Sequence, residues 1–345
     1  MTEVQTETAV QDGGNEGKAV AEPPPGVEPP PGQETGEKST WLTQTQGGIL
    51  DDSPGYEGVT DGVPEKGIFT LIGGYLDDNG DLHKEVDLRA MSGHEEDLLG
   101  NRSVPITQRM SGIMSACVQR IGTVTDRGQV SRAVNRLPAG SRTHLLICMR
   151  RTTHWKRTKD IYEMEVACPR RTCEKEGHYK VDLGELDLFE MPDPKKRQYE
   201  VGLVDSGAKV VWRITTGADD QILSVVSDFH ESEAEILTYS ILIRMASIDG
   251  ENCELDITDF LDSNHKKLRP SKKAQALKLW VKNLAVGDRE LLREDFFDKE
   301  PSVDTDLEFT CKFCQRDFTG PLNVGQESFF FPSAISRRSK RRSST

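Results

Sequence analysis

"EVDLRAMSGHEEDLL" (residues 85–99) reads as a strand running into a helix, and the chain repeats the phrase at "AKVVWRITTGADDQIL" (208–223). Both stretches carry R-x-x-[ST]-G-x-[ED]-[ED], with Arg89 and Gly93 matching Arg213 and Gly217. Alternation up to the arginine predicts a strand. Ser92 and Thr216 are then helix N-caps. The acidic pairs Glu95/Glu96 and Asp219/Asp220 suit the positive end of a helix dipole.

The rest of the chain repeats in the same order. "ITQRMSGIMSACVQRIG" (106–122) sets Ile106, Met110, Ile113, Met114, Cys117 and Ile121 on one helical stripe. "EAEILTYSILIRMASIDG" (233–250) does the same less cleanly, and each stretch ends at a glycine, a common helix stop. Methionine and cysteine on such stripes are core residues. "NRLPAGSRTHLLICMR" (135–150) then matches "KNLAVGDRELLREDF" (282–296) as L-x-x-G-x-R-x-x-L. A helix–turn–helix elbow is expected here, with Ser141 and Asp288 capping the second helix. The shared Arg142 and Arg289 should each pair with an acid in the other half of their own repeat.

Each copy ends in a cysteine pair. "YEMEVACPRRTC" (162–173) lines up with "TDLEFTCKFC" (305–314), so that Glu165-x-x-Cys168 matches Glu308-x-x-Cys311. An extended stretch enters each pair and a second leaves it, which is a β-hairpin with thiols at its tip, as in zinc ribbons and knuckles. Cys168 and Cys173 are spaced C-x₄-C; Cys311 and Cys314 are spaced C-x₂-C. Two thiolates cannot close a tetrahedral site, but the four together can hold one Zn2+. Three alternatives stand beside that reading: a separate site in each copy with borrowed ligands, reduced cysteines without metal, and a redox disulfide. His178 is the nearby imidazole of the first copy, whereas the second copy has none after Cys314. Neither pair sits in the strand-to-helix setting of thioredoxin-like motifs, which argues against the disulfide.

The expected fold class is α+β, built as two tandem diverged repeats over 66–190 and 199–332. Each is a strand, helices and a Cys-bearing, zinc-ribbon-like hairpin. Residues 1–65, rich in Gly, Pro, Glu and Thr with PPPG twice, read as a disordered acidic tail; 333–345, with five Arg or Lys residues, reads as a disordered basic one. Residues 250–280 are an insertion in the second copy; Phe329, Phe330 and Phe331 are expected to alternate along a final strand, and Trp155 and Trp212 to lie in the core.

Several function classes drop out. The chain has no P-loop, G-x-S-x-G, H-E-x-x-H or Rossmann fingerprint. "DDNGD" (77–81) resembles the start of a calcium loop, but its apolar flanks and the missing twelfth-position Glu argue for a hairpin turn. A closed Cys₄ site leaves no open coordination position, so the expectation is a non-enzyme with no catalytic residues and no small-molecule substrate. The formal net charge of −13 argues against general nucleic-acid binding. "MRRTTHWKRTK" (149–159) and "CPRRTC" are locally basic, which keeps a zinc-ribbon nucleic-acid regulator as the alternative, yet the matching second-copy stretch is acidic. No apolar run is long enough to span a membrane, and the acidic start has no signal-peptide character. Seven cysteines, an odd number, suit a reducing cytoplasm.

The strand entering R-x-x-[ST]-G-x-E-E, the L-x-x-G-x-R elbow and the terminal cysteine pair resemble the tail and baseplate assembly proteins of contractile-tailed phages and phage-derived contractile injection systems. The named group most similar is the baseplate hub assembly chaperone family of T-even phages, over 67–190 and more loosely over 199–332. Ser141 stands where that family's elbow has Asp, whereas the second copy keeps Asp288-Arg289. The resemblance implies assembly by protein–protein contacts with baseplate hub or other tail proteins, in the cytoplasm of the producing cell or within the tail particle.

Overall fold

The computed structural model describes residues 67–229, 232–263 and 267–331; both expected tails lie outside the described residues. The first half opens with a hairpin, β1 (Ile68–Leu76) and β2 (Leu82–Leu88). "DDNGD" is its turn, where the Asp77 carboxylate accepts from the amides of Asn79 and Asp81 at 2.9 and 2.8 Å. Next come α1 (Gly93–Gly100), α2 (Ile106–Cys117), β3 (Val118–Ile121), α3 (Arg127–Arg136) and α4 (Ala139–Thr158). The hairpin β4 (Ile161–Ala167) with β5 (Glu176–Asp182) comes after them, then the short β6 (Leu188–Phe189).

The second half runs β7 (Gln198–Gly202), β8 (Lys209–Arg213), α5 (Gly217–Phe229), α6 (Glu233–Leu242) and β9 (Met245–Ile248). β10 (Glu251–Asn252) and a 3-10 turn (Ile257–Asp259) precede α7 (Lys272–Asn283) and α8 (Val286–Lys299). β11 (Ser302–Val303), the hairpin β12 (Asp306–Thr310) with β13 (Asp317–Pro321), and α9 (Glu327–Phe330) complete it. The architecture is mixed α and β with several small antiparallel sheets: β1-β2-β3, β7-β8-β9-β10 and three two-stranded pairs.

The sheets of the two halves share a detailed irregularity. Val86, Asp87 and Leu88 face Ile121, Arg120 and Val118, with a bulge before the last pair. Val210, Val211 and Trp212 face Ile248, Ser247 and Met245 with the bulge in the same place. A bulge inserts one residue and re-aims the backbone beyond it. In both halves the next residue along is the arginine, whose amide donates to a carbonyl where a later helical segment gives way to the paired strand: Arg89 N to Cys117 O at 3.0 Å, Arg213 N to Arg244 O at 2.7 Å.

Four local expectations need correction. The helical stripe stops at Cys117 and at Leu242, and its last turn is instead strand β3 or β9. Apolar residues at 117, 118 and 121 fit either period, and the open edge of β2 or β8 supplies the partner that decides. Gly122 and Gly250, at φ +55° and +85°, end strand turns rather than helices. At the elbow, the second helix begins at Ala139 and Val286, so Ser141 and Asp288 are its third residues rather than its caps. Ser141 Oγ donates to the Ile72 carbonyl. The Asp288 carboxylate accepts from the amides of Asp205 and Ser206 at 2.9 Å each. These side chains tie helix to hairpin. Finally, Phe329 and Phe330, expected to alternate along a strand, lie in α9 and are both fully buried; their carbonyls accept from Arg150, and that of Phe330 also from His154.

Two hydrophobic clusters form the interior. One gathers β1, β2, α2–α4 and, from far along the chain, Val303, Phe309, Leu322, Phe329 and Phe330. The other surrounds the fully buried Trp212, Tyr239 and Phe260. Phe260 belongs to the insertion, which therefore adds core to the second half. Trp155, expected inside, is only half-buried.

Candidate metal centre

The two cysteine hairpins meet tip to tip. In each, the first cysteine's amide closes the ladder, Cys168 N to Lys175 O at 3.0 Å and Cys311 N to Arg316 O at 2.9 Å. In each, the residue after the second cysteine turns the chain left-handed, Glu174 at φ +47° and Gln315 at φ +57°. That turn exposes amides on its concave side and folds both sulfurs of a pair toward one point. Behind the tips the hairpins share an aromatic layer: Tyr179 of β5 lies 4.7 Å from Phe309 and 6.0 Å from Phe318, ring centre to ring centre. Lys312 Nζ reaches over to the His178 carbonyl.

The four sulfurs lie within 4.8 Å of one another. Two close pairs cross between hairpins: Cys168 to Cys314 at 3.9 Å and Cys173 to Cys311 at 3.8 Å. With Zn–S of about 2.3 Å, adjacent corners of a tetrahedron stand about 3.8 Å apart, whereas a disulfide brings sulfurs to about 2.05 Å. All four cysteines are free thiols. They are close enough to hold one metal ion. His178 is not part of the group; its Nδ1 pairs with Glu165 at 3.2 Å on the exposed face of the hairpin.

The electrostatics of the cluster explain why it wants a cation. The amides of Cys314 and Phe313 point at the Cys311 sulfur and bring its thiol down to about 6. Cys168 receives the Arg170 amide, yet burial and the three neighbouring sulfurs outweigh it and push that thiol up to about 11. Once one thiolate forms, the others cannot ionise beside it without a positive charge between them. Cys117 and Cys148, buried in the core, are pushed up to about 12 by desolvation, which outweighs the arginines near each.

Away from the cysteines, the repeated motif is a buried ion pair. Glu95 accepts from Arg89 at 2.7 and 3.1 Å and from the Ser92 amide and hydroxyl at 2.7 and 2.8 Å. Asp219 takes the same position against Arg213 at 2.8 and 2.9 Å, and accepts from the Thr216 amide at 2.8 Å. The elbow arginines behave differently from expectation. Arg142 does not pair within its own half: its Nε reaches Asp220 of α5 at 3.0 Å, while Nη2 holds Ser111 at 2.8 Å. Beside it, Ala139 N donates to Thr215 O at 3.0 Å and Pro138 bridges Thr216. The acidic pair at the helix start, read as a local dipole partner, thus also staples the halves together. Only a partner 78 residues away reveals that role.

Compared with known families, residues 76–331 match the model of the T4 bacteriophage base plate protein family. No curated protein and no solved structure matches the chain. The matched span covers most of the chain, and the protein belongs to that family.

Proposed function

We propose that this member of the T4 base plate protein family is a non-enzymatic assembly factor or minor structural component of the baseplate hub, acting by protein–protein binding in the producing cell or in the tail particle. Its body is a diverged duplication over 66–190 and 199–332. Support for the duplication comes from the shared order of strands and helices, the identical bulge register, and the paired Arg–carboxylate helix starts.

The observation that carries the reading is the thiol cluster. One hairpin from each half contributes two sulfurs at tetrahedral spacing. Zn2+ is the ion that four thiolates at this spacing suit, and Cys168, Cys173, Cys311 and Cys314 would be its ligands. Such an ion supplies folding energy to small hairpins and holds the ends of the two halves together. It offers no vacant position for a substrate, which fits a scaffold rather than a catalyst. Among the described residues no helix is long and apolar enough to cross a membrane.

The test is recovery of the tagged full chain from cells assembling its own tails, with bound subunits identified by mass spectrometry. Identified baseplate subunits on the wild type, and their loss with Cys311→Ser, are expected. Nucleic acid as the retained partner, with affinity falling steeply as salt rises, would overturn the reading in favour of a zinc-ribbon regulator.

A further inference from the structure

The contact between the two halves is one-sided, and its unused faces match each other. On the first half, the elbow and Arg142 receive the start of α5: Arg142 Nε holds Asp220, Pro138 is buried, and a Cβ at Gly217 would sit 2.7 Å from the guanidinium. The second half has the same elbow, held from one side by the Asp205–Ser206 turn, but among the described residues no helix start packs on it as α5 packs on the first. Val286 is 69% exposed, and Ala285, in the position of Pro138, is exposed too. Arg289 repeats the geometry of Arg142, with Nη2 on Thr238 at 2.9 Å where Arg142 holds Ser111 at 2.8 Å. Its Nε, however, is buried and has no hydrogen-bond partner among the described residues.

The complementary face is equally open on the first half. The start of α1 corresponds to the start of α5, Gly93 to Gly217 and Glu96 to Asp220. Gly217 is buried, but Gly93 and Glu96 are exposed, and no atom lies within 4 Å of a Cβ at Gly93. The first half therefore presents an acidic helix start, and the second presents an elbow with an arginine of the kind that, in the first half, binds such a start.

We propose that a second copy of this chain docks head to tail, with its Glu96 and Gly93 against Arg289 and the Ala285–Val286 elbow, reusing the contact that joins the halves. The occupant is argued from the interface already present within the chain and from the opposite charges of Glu96 and Arg289, which correspond to the paired Asp220 and Arg142. The inference rests on the duplication proposed above. A head-to-tail contact is heterologous, so it propagates to a ring or a short filament rather than stopping at a symmetric dimer.

The test is sedimentation equilibrium of the full chain up to roughly 1 mM, because a contact of a few side chains with one ion pair lies at the weak end of association. Wild-type mass should rise with concentration. Arg289→Glu should weaken association at least tenfold, Glu96→Arg should do the same with its melting temperature unchanged, and a mixture of these two variants should restore association, because each helix start then meets an elbow of opposite charge. A wild-type chain that stays monomeric throughout, or association indifferent to Arg289→Glu, would overturn the docking. Neither result touches the duplication, which falls only if an experimental structure puts the β3 and β9 bulges at different registers.

Discussion

Replacing Glu95 by Gln isolates the charge of the repeated Arg–carboxylate pair while keeping its shape. The Glu95 side chain is 5% exposed and its carboxylate is held down to about 2, chiefly by Arg89 and then by the Ser92 amide and hydroxyl, against the opposing effect of burial. A carboxylate ordinarily near 4.5 that titrates near 2 in the folded chain contributes roughly 3 kcal/mol at neutral pH. The sign is set by the depressed value: the contribution is complete above 4.5 and is lost as pH falls toward 2. By pH 3.5 the unfolded chain has bound most of the proton, and about 1.4 kcal/mol has gone. Glu95→Gln should therefore cost roughly 2–3 kcal/mol at pH 7, and the gap from wild type should narrow by about half at pH 3.5. Urea unfolding at both pH values, with chelator present throughout so that metal loss affects both proteins alike, measures it. A gap that is the same at pH 3.5 as at pH 7 would show that the carboxylate's charge is not its source.

Two further contrasts exploit the unequal faces of the halves. Arg142→Met strands the half-buried Asp220 and should cost roughly 3 kcal/mol in denaturant titration, whereas Arg289→Met, which breaks no ion pair, should cost under about 1. Gly140→Ala places its Cβ 1.7 Å from the Pro301 carbonyl and should lower the melting temperature sharply; Gly287→Ala, 3.1 Å from the Asp205 carboxylate, should be tolerated. Chelation should free Cys173 and Cys314, the half-buried members of the cluster, to react with Ellman's reagent in the folded protein, while Cys117 and Cys148 remain silent until unfolding, both being fully buried.

The sequence announced its strand-to-helix entries and its cysteine hairpins because each was written twice, the former with matching residues at one spacing, the latter with an extended stretch entering a cysteine pair. Where one residue could serve two purposes, it was silent. Cys117, Val118 and Ile121 satisfy a helix and a strand alike, and only the edge of β2 chooses between them. Ser141 and Asp288 are good caps by type, but Ile72 and the Asp205–Ser206 turn use them first, one turn inside the helix. Phe329, Phe330 and Phe331 carry no period at all, being three identical residues, and burial of the first two depends on Arg150 and His154 arriving from α4. The Arg142–Asp220 pair was hidden for a different reason. Both residues sat inside matched motifs, so each invited a partner from its own half.

A single zinc ion shared by both halves is the central claim, and metal content tests it most directly. Protein purified without chelator should carry one zinc per chain by elemental analysis, and Cys311→Ser and Cys168→Ser should each abolish it, since either removes a corner of the same tetrahedron. Two zinc ions per chain, with one surviving either substitution, or folded and reduced protein without metal, would contradict the account.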